Sequence, residues 1–135
     1  MGTRAIYTFE DATDERHIFV HYDGYPTGAA SYFKQWLDTN YSWTLPRFEP
    51  DEAAAGFVAA IKTGPGNVRI CHGRFDYSDV EFGYRLFTLR GELHVQCATT
   101  DYWGEAPAEH IIFDGPMSEF MARARDVQTL AFDAA

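Results

Sequence analysis

The chain has 135 residues, 46% hydrophobic and 23% charged, and a formal net charge of −9. That length suits one domain spanning residues 1–135 and is too short for two, and the apolar balance is globular, not disordered. The acidity argues against general affinity for nucleic acid, which needs a basic footprint to displace counterions, and no run of eighteen apolar residues is present to span a membrane.

Arg4 to Phe9, rich in β-branched and aromatic residues, predicts a first strand. An acidic turn follows from Glu10 to Glu15, and His17 to Tyr22 completes an antiparallel hairpin. Asp23-Gly24 ends that strand, and Tyr25-Pro26-Thr27-Gly28 turns the chain into a helix. This helix runs from about Ala29 to Thr39, with Ala29, Phe33, Trp36 and Leu37 on one face. Tyr41 to Phe48 reads as an aromatic loop. Pro50, Asp51 and Glu52 are first-turn residues of a second helix, whose apolar face is Ala54, Phe57, Val58 and Ile61.

Thr63 to Asn67 stops that helix, and three strands follow: Val68 to His72, Val80 to Leu89, and Glu92 to Thr99. Arg90-Gly91 joins the last two as a tight hairpin. Alternation puts Val80, Phe82, Tyr84 and Leu86 on one face, matched by Leu93, Val95 and Cys97. After an aromatic and acidic loop, Ile111 to Phe113 gives a short strand. Asp114-Gly115-Pro116 then opens a last helix with Met117, Phe120, Met121 and Ala124 inward. Local hairpins with grouped helices predict an α+β fold: a single antiparallel sheet of about five to six strands with helices packed on one face.

The candidate chemistry is sparse. Cys71 and Cys97 each lie in an apolar strand, where cysteine behaves as a small hydrophobe and forms no secreted-type framework. Without an apolar leader after Met1, the expected location is the cytoplasm. His17 and His21 stand four apart on a strand, roughly 13 Å at ~3.3 Å per residue, too far to share a metal ion. No metal site or cofactor is expected, and no serine sits in a nucleophile-elbow context. Gly64-Pro65-Gly66-Asn67 follows a helix and precedes a strand, the reverse of a phosphate-binding loop, and reads as a turn.

Two features carry more weight. In His21-Tyr22-Asp23-Gly24-Tyr25-Pro26-Thr27-Gly28, a histidine at a strand end meets an aspartate on a turn at the mouth of a helix. A helix N-terminus binds anions, and an aspartate beside a histidine poises a base. The plainer reading is that Asp23, Gly24, Pro26 and Gly28 shape the turn. The second feature is arginine: nine of the eleven basic residues are Arg. Arg69, Arg74 and Arg85, with Tyr77, Tyr84, Trp43 and Trp103, offer phosphate contacts and stacking for a nucleotide-like ligand. The competing reading pairs these arginines with surface carboxylates.

Three stretches, His21 to Ala30, Leu45 to Glu52, and Phe57 to Lys62 leading to Gly66-Asn67-Val68-Arg69, resemble a group of small phage and prophage proteins. Those proteins carry an H-W-D-G-Y-P motif near the N-terminus. This chain has Tyr22 where tryptophan is usual. By analogy with small acidic phage accessory proteins, the resemblance implies binding: blocking a host defence protein or sequestering a nucleotide-like signal. The expected function is a non-enzymatic binding protein in the bacterial host cytoplasm, with His21, Tyr25, Trp43, Arg47, Arg69 and Arg74 as ligand- or partner-binding residues. One alternative is a phosphate- or nucleotide-processing enzyme using His21 and Asp23. Another is a virion structural or assembly protein. Exposed aromatics also leave a homodimer open.

Overall fold

The computed structural model describes residues 2–39, 47–73, 79–101 and 108–133. Within them run β1 (Ala5–Glu10), β2 (Glu15–Val20), α1 (Pro26–Leu37), α2 (Pro50–Ile61) and β3 (Val68–Cys71). They are followed by β4 (Phe82–Leu89), β5 (Glu92–Asp101), β6 (Ala108–Pro116) and α3 (Met117–Asp133). The strands form one sheet in the order β3-β2-β1-β4-β5-β6, and the three helices pack on one of its faces. This is the α+β arrangement that the hairpin pattern predicts.

Alternation decides which side chains meet the helices. Ala5, Tyr7 and Phe9 of β1, Ile18 and Val20 of β2, and Phe82, Tyr84 and Leu86 of β4 all point into the main core. Leu93, Val95 and Cys97 of β5 join them, with Tyr84 opposite Cys97 and Leu86 opposite Val95. The helices answer with Phe33 and Trp36 of α1, Phe57 and Ile61 of α2, and Phe120 and Val127 of α3. Rings dominate this layer. Tyr7 stacks on Tyr84 at 4.9 Å and meets Phe33 edge-on at 5.6 Å, while Trp36 meets Phe9 edge-on at 5.5 Å. Each such ring contributes about 1.5–3 kcal/mol by leaving water.

The sheet is mixed where the sequence predicts only antiparallel pairs. β1 runs parallel to β4, while the other neighbouring pairs are antiparallel. The chain leaves the sheet at β3, on one edge, and re-enters beyond β1. A pairing between strands so distant in sequence leaves no hairpin signal to read.

Three smaller corrections follow. Val80 does not share the core face of β4 but packs with Ile6 and Phe19 on the opposite face of the sheet. The amide N–H groups of Glu81 and Phe82 both donate to the Arg4 carbonyl, at 3.0 and 3.3 Å, and this interrupts the alternation just before the strand. Asp114, Gly115 and Pro116 end β6 instead of opening α3, and α1 starts at Pro26 instead of Ala29.

Candidate functional site

The segment from His21 to Gly28 is held by close backbone packing. Asp23 has φ 59°, in the left-handed region. The Gly24 N–H donates to the Thr3 carbonyl at 2.8 Å, and the Gly24 carbonyl accepts the buried Tyr84 hydroxyl at 2.6 Å. A Cβ on Gly24 would lie 2.7 Å from that of Ala5, and one on Gly28 would collide with the Asp23 carbonyl. These residues shape the turn, as the plainer reading has it.

Polar groups of the motif are partly engaged by their neighbours. The Asp23 carboxylate accepts the Tyr25 hydroxyl at 3.1 Å, and this bond raises the Tyr25 pKa. Tyr32 donates to the Tyr22 carbonyl at 2.9 Å, and burial, then the Asp23 charge, push its pKa to about 12. The His21 ring lies edge-on to Phe19 at 6.1 Å and against Tyr22 at 4.5 Å. At the mouth of α1, Gln128 Oε1 accepts both the Thr27 N–H at 3.0 Å and the Thr27 hydroxyl at 2.7 Å. A neutral side chain from α3 therefore satisfies one first-turn N–H of α1.

The arginines disperse. Arg47 is exposed beside Glu49, at 3.5 Å, and its charge is felt by Asp11 in the β1–β2 turn. Arg69 lies across from Phe19 on the face away from the helices, and forms no ion pair among the described residues. Arg85 is held by Glu10 through Nε and through Nη2, the latter at 2.8 Å. Tyr84 faces the core, so it offers no stacking surface beside Arg85. His21 and Arg69 thus share one edge of the sheet, whereas Arg47 lies at the far end, before α2. Trp43 and Arg74, with Tyr77 and Trp103, lie outside the described residues.

A larger concavity than the one beside Asp23 and Tyr25 lies elsewhere. A cleft of about 640 Å³ opens between α2 and the β2–β3 edge, with Ile18 and Ile70 on the sheet side and Ala54, Ala55 and Val58 on the helix side. Ile70 belongs to the helix-facing side, opposite buried Ile18, yet it is 82% exposed. The reason is lateral: α2 packs chiefly over β1 and β2. Composition alone does not show this. Val58, on the apolar face of α2, is correspondingly left half-buried beside the cleft.

Strand register also places His17 directly opposite Cys71 at this cleft. The imidazole is already engaged: Nδ1 is bonded to Thr8 Oγ1 at 2.8 Å and Nε2 lies 3.2 Å from Glu15. It has no ring nitrogen left to act as a base for Cys71. The other thiol, Cys97, is buried, and burial pushes its pKa to about 12. Among the described residues, no three His, Cys, Asp or Glu side chains stand together as a metal site, and no helix is long and apolar enough to cross a membrane.

No protein-family model matches the chain, no curated protein matches its sequence, and no solved structure matches its fold.

Proposed function

We propose that this chain is a non-enzymatic binding protein of phage or prophage origin that counters a host defence system by blocking a host protein. Its grip would be the cleft between α2 and β3. The observation that carries this reading is Ile70, an aliphatic side chain left 82% exposed beside an apolar cleft of about 640 Å³. Exposed apolar surface of this kind favours a partner that covers it. The spread of Arg47, Arg69 and Arg85 favours protein blocking over nucleotide sequestration, since one phosphate group needs convergent donors. The phage context and the defence target rest on the sequence resemblance.

The test is affinity capture from a host lysate with the wild-type chain and Ala55→Arg. Ala55 is exposed and lines the cleft, so arginine there obstructs the cleft without entering the core. The expected result is a specific host protein held by the wild type and lost with A55R. Equal capture by both rejects the cleft as the binding surface.

A further inference from the structure

One cross-strand bond fixes the hydrogen-bond phase of β3. Residues directly opposite in an antiparallel ladder alternate between bonded and non-bonded pairs. The His21 N–H donates to the Asn67 carbonyl at 2.9 Å, and this makes His21–Asn67 a bonded pair. By alternation along the register, Phe19–Arg69 and His17–Cys71 are the next bonded pairs. The N–H and C=O of Val68 and Ile70 therefore point away from β2, toward the outer edge. β3 is the last strand of the sheet, and no described strand pairs with that edge. Lys62 Nζ donates to the Val68 carbonyl at 3.0 Å, closing the edge at its start. Among the described residues, the open pairing position on this edge is Ile70.

We infer that the cleft takes an extended peptide segment of the partner protein, added to the sheet as a strand antiparallel to β3. This inference rests on the proposed binding role and specifies its chemistry. The peptide residue opposite Ile70 exchanges two backbone hydrogen bonds with it. Its side chain falls on the helix-facing side, into the cleft lined by Ala54, Ala55 and Val58. An aromatic or large aliphatic residue fits there. The next peptide residue lies opposite Arg69, on the other face. Arg69 is exposed and has no ion-pair partner among the described residues, so an acidic side chain complements it. The recognised segment is therefore a bulky apolar residue followed by Asp or Glu, in extended sequence.

A second copy of this chain fits the same edge less well. In the register that faces Ile70 with its own counterpart, Arg69 meets Cys71 of the other copy and stays without a counter-charge. Each copy also carries a net charge of −9.

The probe is a terminally blocked nine-residue peptide of alternating threonine and valine, with a central phenylalanine followed by glutamate. Binding is followed by fluorescence anisotropy and by amide exchange at Ile70. The expected result is slowed exchange at Ile70. N-methylation of the phenylalanine should weaken binding roughly tenfold by removing one backbone hydrogen bond and adding a clash. Replacing the peptide glutamate with lysine should weaken binding to the wild type and strengthen binding to Arg69→Glu. Strand addition is overturned if the N-methylated and parent peptides bind alike, if Ile70 exchange is unchanged, or if nothing binds up to millimolar peptide. It is also overturned if Ile70 is protected without peptide in a concentration-dependent way that accompanies a doubled mass. These outcomes are independent of the capture experiment: a partner lost with A55R, combined with no effect of N-methylation, leaves the cleft intact and removes only the strand.

Discussion

The Tyr84 hydroxyl donates a 2.6 Å hydrogen bond to the Gly24 carbonyl, joining residues 60 apart in sequence within the buried interior. It ties the turn after β2 to the centre of the sheet. Tyr84→Phe keeps the ring and strands a buried carbonyl, so the expected loss is about 1–3 kcal/mol. Urea unfolding should show a lower midpoint with an unchanged slope.

Gly28 lies where any side chain would strike the Asp23 carbonyl. Gly28→Ala should therefore destabilise by about 2 kcal/mol or more, although alanine is the better helix former. Calorimetry of the purified variant checks this, and a stabilised variant would mean that the turn can move aside.

Gln128 on α3 caps α1 through Thr27. Gln128→Ala removes a part-buried acceptor for two donors, and the expected cost is about 1 kcal/mol. The amide of Thr27 should exchange faster in the variant, while amides in β5 should not.

Cys97 gives the stability a defined alkaline dependence. Burial raises its folded pKa from 9.0 to about 12. Between those values the unfolded chain has lost this proton and the folded chain retains it. The stabilisation is thus fully present below pH 9 and is lost as pH rises toward 12. One proton corresponds to a slope of about 1.4 kcal/mol per pH unit. Cys97→Ala should flatten the stability curve between pH 9 and 10 by up to that slope, as measured by denaturant titration.

Helices were readable because their apolar residues repeat at helical spacing: Ala29, Phe33 and Trp36 are all buried as that spacing requires. The β1–β2 and β4–β5 hairpins were equally readable from local turns. The parallel β1–β4 pair was not, since it depends on where the chain returns after β3. The site followed the same division. Gly24 and Gly28 were legible as turn residues, whereas the cleft arises from how far α2 extends across the sheet, a lateral offset that no residue spacing encodes. Ile70 in isolation is one more apolar strand residue. Arg85 looked available until β1 brought Glu10 beside it.

The most direct test of the cleft as the binding surface is hydrogen–deuterium exchange on the purified complex with the captured partner. Slowed exchange confined to residues 51–58 and 68–72 is the predicted footprint. Protection centred on His21 to Gly28, with residues 51–58 and 68–72 exchanging as in the free protein, would contradict it.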